Sequence, residues 1–263
     1  MLIESTHNQY VKRLRALATR KGRREHGEFL VEGVRSLEEA AEAGADISYL
    51  AHCPELADAP RARELAEHFG AAGDRVMEVT ERVFRSFSQV QSPEGLAAAV
   101  VIPATGLTDL GGDAGLWLAA VDVRDPGNLG TLVRTADAVG ADGLIAAGTC
   151  ADLYEPKVVR ATAGSVFHLP LVQGVPPKAM LEWATGAGVA TVATTLEDAT
   201  RYTEIEYPER VLLMFGGEAR GLDADVVAAA DFRAFIPMPG RADSLNVGVA
   251  GGVLAWEVLR QRQ

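Results

Sequence analysis

The 263-residue sequence contains only two cysteines, Cys53 and Cys150, and they lie far apart. A disulfide framework or a zinc cluster needs several closely placed cysteines, and the five histidines show no ligand spacing either. No apolar run approaches the roughly 18 residues of a membrane-spanning helix, and the N-terminus has no apolar signal-peptide core. These absences predict a soluble, cytoplasmic protein with no metal site and no membrane anchor.

The sequence also lacks an overall positive charge, since its formal net charge is −11. Residues 1–35 are nevertheless basic, with eight Lys or Arg against four Glu, while the other 228 residues carry 17 basic and 32 acidic side chains. A basic segment on an acidic body is typical of a surface that binds phosphate groups. It is also typical of a solvated helix face, and charge alone leaves both interpretations open.

The two halves of the chain differ in their predicted elements. Residues 1–103 read as short alternating helices and strands, which predicts a small α/β domain, and the glycine-rich residues 104–114 predict a linker. Residues 115–263 alternate near-continuous apolar strands with amphipathic helices, which predicts a Rossmann-like parallel sheet covered on both faces. Because such sheets bind ligands at the carboxyl ends of their strands, polar residues that follow strands are the candidate site.

The first polar cluster after a strand is "VDVRDPGNLGTLVRTADAVGADG", residues 121–143. Pro126 and Gly127 end the strand, and Asn128 is predicted to cap the helix that carries Arg134. A cap and a surface cation are also an ordinary structural interpretation of these two residues. The cluster lacks the G-x-G-x-x-G fingerprint, which disfavours a nicotinamide cofactor.

The second cluster is "LLMFGGEARGLDADV", residues 212–226. Gly216 and Gly217 would let a ligand approach the backbone closely, because glycine has no side chain. Glu218 is placed to accept hydrogen bonds or to hold Arg134.

The third cluster precedes the last predicted helix, which begins at Val247. Its apolar residues recur at positions 249, 253, 256 and 259, as expected for a helix. Glycines occupy positions 248, 251 and 252, although each costs a helix about 1 kcal/mol relative to alanine. The residues alone leave open why the start of this helix carries three small residues.

The stretches "NLGTLVRTA", "FGGEARGL" and "IPMPGRADSLNVGVA" together resemble the three successive motifs of the SpoU-TrmH branch of the SPOUT methyltransferases. "EPKVVRATAGSVFHLP" resembles the segment that this family carries between its first and second motifs. The N-terminal half, with "GEFLVEGVRSLEEA", is similar to the ribosomal-protein-L30e-like substrate domain of several ribosomal RNA methyltransferases. The resemblance implies a deep trefoil knot in residues 115–263, a homodimer, and transfer of a methyl group from S-adenosylmethionine to an RNA ribose 2′-hydroxyl. In such a knot the final helix passes through a tight opening, so the glycines at positions 248, 251 and 252 are expected where a side chain would strike neighbouring backbone. It favours 23S ribosomal RNA as the substrate because of the N-terminal domain.

The resemblance also implies roles for individual residues. Arg134 would activate the reacting oxygen, either as a general base or by stabilising its developing charge. We prefer stabilisation, because a guanidinium does not readily give up a proton. The other residues implied in catalysis are Asn128, Glu218, Ser244 and Asn246. The residues implied in cofactor binding are Thr194, Thr195, Leu196, Gly216, Gly217, Glu218, Gly221, Ile236, Met238, Ser244 and Leu245. The residues expected to contact RNA phosphates are Lys12, Arg13, Arg20, Lys21, Arg23 and Arg24. Methyl transfer of this kind needs no metal.

Three other functions fit parts of the pattern. A transfer RNA 2′-O-methyltransferase would share the same motifs, and a non-catalytic RNA-binding or assembly factor would share the same fold. The joint presence of the candidate catalytic residues argues against a pure binding factor. A nucleotide-dependent oxidoreductase would need the missing dinucleotide fingerprint.

Overall fold

The computed structural model describes residues 2–57, 59–71, 75–112 and 115–263, and these form two compact units. The N-terminal unit comprises residues 2–104 together with Tyr154–Phe167. The C-terminal unit comprises Thr105–Leu153 and His168–Gln263. Asp113 and Ala114, the last residues of the predicted linker, lie outside the described residues. In the part of the chain that is described, no helix has both the length and the apolar character to cross a membrane.

The first 104 residues fold as a mixed sheet with helices. The elements are β1 (Leu2–Ile3), α1 (Gln9–Ala16), α2 (Arg20–His26), β2 (Glu28–Glu32), α3 (Val34–Glu42), β3 (Ile47–His52), α4 (Pro60–Ala71), β4 (Val76–Val79), α5 (Glu81–Arg85) and β5 (Leu96–Val101). The strand order is β1-β4-β3-β5-β2, in which β5 runs antiparallel to both of its neighbours. Val11 and Leu14 of α1 are buried against this sheet, in one core with Phe84 and Phe87.

The basic segment forms two helices, α1 and α2. Helix α1 ends at Ala16, and Thr19 caps α2 by accepting a hydrogen bond from the Gly22 backbone N–H at 3.1 Å. A Cβ atom at Gly22 would overlap the carbonyl oxygen of Ala16, so glycine permits the close packing of α2 against the end of α1.

A segment from the second half of the sequence completes the N-terminal unit. Tyr154 and Phe167 place their rings 5.0 and 6.0 Å from the ring of Phe29, measured between centroids, and Phe29 is fully buried. No composition shift in the sequence marked this segment, because aromatic contacts between distant residues leave no local pattern.

The C-terminal unit contains a sheet whose strand pairs are all parallel. The elements after residue 104 are β6 (Leu116–Val121), α6 (Pro126–Ala138), β7 (Gly143–Ala147), α7 (Pro156–Thr162, within the segment just described), β8 (Leu171–Val175), α8 (Pro177–Gly186), β9 (Ala190–Thr194), β10 (Thr200–Arg201), β11 (Val211–Gly216), α9 (Ala224–Ala229), β12 (Phe232–Phe235) and α10 (Val247–Gln261). The order is β10-β12-β9-β11-β6-β7-β8. Strands β6 and β7 are buried throughout, which confirms the predicted parallel sheet. The knot implied by the family resemblance stays a prediction.

The strand order places a switch point between β6 and β11. From β6 the chain proceeds outward to β7 and β8, and the later strands lie on the opposite side, beyond β11. The connections at such a point diverge, which leaves a crevice outside the carboxyl ends of the two strands.

The glycines of α10 differ in their surroundings. A Cβ atom at Gly248 would lie 2.6 Å from Cγ2 of Thr131, and one at Gly251 would overlap Cδ2 of Leu132, both on α6. Gly252 has no atom within 4 Å of the position of a Cβ. The crowding prediction is therefore wrong for Gly252, and at the other two positions the obstacle is a side chain of α6.

The apolar stripe that indicated α10 is its outward face. Val249 and Trp256 are 51% and 48% exposed, whereas Leu254, Ala255 and Val258 are fully buried. Helical periodicity therefore predicted the helix correctly. The helix has two apolar faces, however, and the residues that indicated it lie on the face that points away from the core.

We expect Gly251→Ala to lower the free energy of unfolding by about 1–2 kcal/mol, because overpacking the contact with Leu132 outweighs the helix propensity gained by alanine. Gly186→Ala in α8 is the matched control, since a Cβ there meets nothing within 4 Å. Urea titration of both variants measures the difference. Equal stability of Gly251→Ala and Gly186→Ala would show that the contact between α6 and α10 accommodates a methyl group at position 251 without overpacking.

Candidate active site

The first polar cluster is held by the start of α6. Asp125 is the N-cap residue, and its carboxylate accepts a hydrogen bond from the Asn128 backbone N–H at 2.8 Å. The prediction that Asn128 caps this helix is therefore wrong. Pro126 takes the first helical position, where its fixed φ and missing N–H cost nothing, so the helix begins before Asn128. The side-chain carboxamide of Asn128 does not cap the helix and is therefore available to other hydrogen-bond partners.

A chain of side-chain hydrogen bonds joins the three clusters. Asn246 caps α10, its Oδ1 accepting hydrogen bonds from the backbone N–H groups of Gly248 at 2.9 Å and Val249 at 3.3 Å. Its Nδ2 donates to Oδ1 of Asn128 at 2.6 Å. Nδ2 of Asn128 then donates to Oε1 of Glu218 at 2.5 Å.

The helix cap fixes the direction of this chain. A carboxamide has one accepting oxygen and one donating nitrogen. Because Asn246 turns its oxygen to the N–H groups of α10, its nitrogen must face Asn128, and Asn128 must in turn donate to Glu218. Each carboxamide nitrogen keeps a second hydrogen that no bond in this chain uses.

The cleft beside this chain lies at the carboxyl ends of β9, β11 and β12 and has a volume of about 640 Å³. All eleven residues that the sequence implied in cofactor binding line it: Thr194, Thr195, Leu196, Gly216, Gly217, Glu218, Gly221, Ile236, Met238, Ser244 and Leu245. Apolar groups that sequence reasoning missed complete the walls: Phe215, Leu222, Val227, Ala234, Phe235, Val247, Ala250 and Leu254. All of these except Leu222 belong to strands or helices, and their only signal in the sequence was their proximity to the motif loops.

Two glycines shape the rim of the cleft. A Cβ atom at Gly216 would overlap the backbone of Gly221 and Leu222, and one at Gly217 would overlap the carbonyl oxygen of Asp122. The loop that follows β11 therefore closes on itself and packs against the end of β6 only because both positions lack side chains.

Arg134 stands apart from this arrangement. Its side chain is exposed on α6, it has no hydrogen-bond or ion-pair partner among the described residues, and it does not line the cleft of its own chain. Glu218 accepts from Asn128 and not from Arg134, which answers the alternative that the sequence left open.

Cysteine chemistry is absent from the cleft region that the structure describes. Burial raises the pKa of Cys150 to about 11, and the thiol donates to the carbonyl oxygens of Ala120 and Ala147. A thiol with this pKa stays protonated at neutral pH and is a poor nucleophile. Among the described residues, no group of three or more His, Cys, Asp or Glu side chains could hold a metal ion.

The basic residues of the N-terminal unit fall into two groups. Arg23 is 2% exposed and donates to the carbonyl oxygen of Leu17 at 2.8 Å, so the prediction that it contacts RNA on the surface is wrong. The close packing of α2 against α1 buries it. Arg13 forms a bidentate pair with buried Glu28, at 2.7 and 2.5 Å. The exposed members of the predicted set are Lys12, Arg20, Lys21 and Arg24.

Comparison with known proteins identifies both parts of the chain. Residues 115–256 match the SpoU rRNA Methylase family, and residues 8–98 match the MRM3-like substrate binding domain. The chain is 32% identical to the 23S rRNA (guanosine(2553)-2′-O)-methyltransferase RlmP of Bacillus subtilis over 256 residues, covering 97% of this chain and 98% of the relative.

Solved structures agree with this match. The AdoMet-bound rRNA methyltransferase from Sinorhizobium meliloti is 34% identical, with a TM-score of 0.89 over 100% of this chain and 98% of that one. The SpoU methyltransferase AviRb from Streptomyces viridochromogenes, in complex with AdoMet, is 32% identical, with a TM-score of 0.86 over 97% of this chain and 99% of that one. Sequence and fold thus agree over nearly the whole length, and the chain belongs to the SpoU rRNA methylase family.

Proposed function

We propose that this protein transfers a methyl group from S-adenosylmethionine to a ribose 2′-hydroxyl of 23S ribosomal RNA. The observation that carries the proposal is the hydrogen-bond chain from Glu218 through Asn128 to Asn246, which borders a cleft built from the predicted cofactor residues. Relatives that match along nearly the whole chain are named as 23S rRNA 2′-O-methyltransferases. Since its proposed substrate is ribosomal RNA, the protein acts in the cytoplasm.

The residues of the cleft fit S-adenosylmethionine, which supplies a methyl group on a positively charged sulfur. The cleft volume lies in the range typical of small-molecule sites, about 300–1,000 Å³. Leu196 and Leu245 are 71% and 37% exposed at its edge, and an adenine base would cover such apolar groups. Gly216 and Gly217 leave backbone groups open to hydrogen bonds with the ligand.

The acceptor oxygen needs stabilisation more than a strong base. A ribose hydroxyl keeps its proton at neutral pH, and a guanidinium beside the oxygen lowers the free energy of the charge that develops as the proton leaves to water. Arg134 supplies this cation. The unused hydrogens on the carboxamide nitrogens of Asn128 and Asn246, with the hydroxyl of Ser244, orient the ribose and its phosphate.

A second copy of the chain completes the site. Arg134 does not line the cleft of its own chain, which is consistent with its acting on the cleft of a second copy. The outward face of α10, with Val249 and Trp256, continues from Leu245 at the cleft and presents apolar area that one protomer leaves open. We propose that these faces meet in a homodimer and bring Arg134 of each protomer to the cleft of its partner.

Transfer of tritium from labelled S-adenosylmethionine tests the reaction directly. We expect label in in vitro-transcribed 23S ribosomal RNA with the wild type, and a rate about 10²–10³-fold lower with Arg134→Ala because one transition-state contact is lost. Label only in unmodified transfer RNA would identify a transfer RNA enzyme. Binding of S-adenosylmethionine by calorimetry, without transfer to either RNA, would identify a non-catalytic factor.

Mixing two inactive variants tests the shared site. Gly216→Val disrupts the cleft, because its Cβ would displace the backbone of Gly221 and Leu222. Mixed with Arg134→Ala, it should regain about a quarter of wild-type activity, because half of randomly formed dimers are mixed and each has one complete site. Sedimentation confirms that both variants form dimers before mixing. Failure to regain activity after subunit exchange would show that Arg134 acts on the cleft of its own chain.

Neutralising exposed cations of α2 tests the RNA surface. Lys21→Gln with Arg24→Gln should lower the slope of log K against log salt for 23S ribosomal RNA by about 2, because two phosphate contacts are lost. Affinity for S-adenosylmethionine should not change. Lys178→Gln on α8 is the control for charge alone, and an unchanged slope in the double variant would remove α2 from the RNA surface.

A further inference from the structure

A second cavity lies beside the cofactor cleft. It has a volume of about 480 Å³ and lies outside the carboxyl ends of β6 and β11, at the switch point of the sheet. It shares Gly217, Glu218, Arg220 and Gly221 with the cleft, so a single loop, residues 217–221, separates the two. We call this cavity the switch-point crevice.

Two arginines line the switch-point crevice. Arg124 follows β6, and Arg220 lies in the loop after β11. Both side chains are exposed, and neither has a hydrogen-bond or ion-pair partner among the residues that the structure describes. Neither is one of the motif residues to which the proposed reaction assigns a role.

Two of the three acidic residues that line the crevice accept hydrogen bonds from other parts of the protein. Asp122 accepts a hydrogen bond from the Thr149 backbone N–H at 2.6 Å, and Glu218 accepts from Asn128. Asp223 is the N-cap residue of α9, but its exposed side chain makes no capping hydrogen bond. The crevice therefore presents two guanidinium groups and one carboxylate without such a bond, and the two guanidinium groups are the ones that can bind an anion.

The backbone holds both arginines in defined places. Asp122 adopts a left-handed φ of 56°, which is unusual for a residue other than glycine, and the Ala151 N–H bonds the carbonyl of Val123 at 2.9 Å. The loop with Arg220 is closed by a hydrogen bond from the Gly221 N–H to the Gly217 carbonyl at 2.9 Å. Because the backbone is hydrogen-bonded on both sides, binding one group mainly costs the rotamer entropy of the two side chains.

We propose that Arg124 and Arg220 bind a phosphodiester group of the RNA next to the methyl-accepting ribose. Planar guanidinium groups match phosphate oxygens in pairs and suit this contact. A nucleotide anchored in the switch-point crevice would place its neighbouring ribose across residues 217–221, at Glu218 and Asn128. The inference rests on the proposed function and adds the residues that fix the position of the acceptor strand.

Charge removal at each arginine tests the proposal. Arg124→Gln and Arg220→Gln should each lower the salt slope of binding to in vitro-transcribed 23S ribosomal RNA by about 1. Each should raise KM for the RNA several-fold and leave affinity for S-adenosylmethionine, measured by calorimetry, unchanged. Arg220→Lys should recover part of the RNA affinity, because it restores the charge without the paired geometry.

Lys178→Gln serves again as the control, since it removes one exposed positive charge from the same unit away from the crevice. Wild-type salt slopes and KM values in both arginine variants would overturn the proposal while the transferase activity stands. Loss of cofactor affinity together with RNA affinity would also overturn it, because the arginines would then support the fold of the loop. Absence of transfer by the wild type would instead count against the proposed function, and the salt slopes would still decide whether the crevice binds RNA.

Discussion

The cap that Asn246 places on α10 is the contact on which the rest of the site depends. Two backbone N–H groups fix the orientation of one carboxamide, and that orientation passes through Asn128 to Glu218. An elementary requirement of every helix, a partner for its first N–H groups, thereby determines which way polar atoms point at three separate loops. Ordering these side chains lowers their conformational entropy, and this loss is offset in part by the capping hydrogen bonds, which the helix needs in any case.

The parallel sheet brings these loops together without help from sequence proximity. Asn128 and Glu218 are 90 residues apart in the sequence, and Asn128 and Asn246 are 118 residues apart. Each of the three nevertheless lies near the carboxyl end of a strand or at a helix start beside it. The two neighbouring strands β6 and β11 set the spacing, and Gly217 permits the close approach of their terminal loops. The cofactor cleft and the switch-point crevice are two consequences of the same strand order.

The fold class and most single elements were predictable from the sequence, whereas specific contacts between two elements were not. The parallel sheet and the start of α10 follow from local apolar periodicity and from capping chemistry. The cap at Asp125 was missed because Asn128 is also a good capping residue. Pro126 selects Asp125, because the proline takes the first helical position and the helix therefore begins before Asn128. The burial of Arg23 depends on how closely α2 packs against α1. Gly251 is crowded and Gly252 is open because only one face of α10 contacts α6. The role of the motif residues came from family resemblance, since spacing alone favoured no specific chemistry.

The segment Tyr154–Phe167 has a consequence for how the chain folds during synthesis. Phe29 is buried in part by Tyr154 and Phe167, which emerge from the ribosome only after β6, α6 and β7. Domains generally fold as units, the N-terminal one first, as the chain is made. Here the N-terminal unit must wait for more than half of the chain, with an apolar surface around Phe29 exposed in the interval. A nascent chain stalled before Tyr154 would therefore be a better chaperone substrate than one stalled after Phe167.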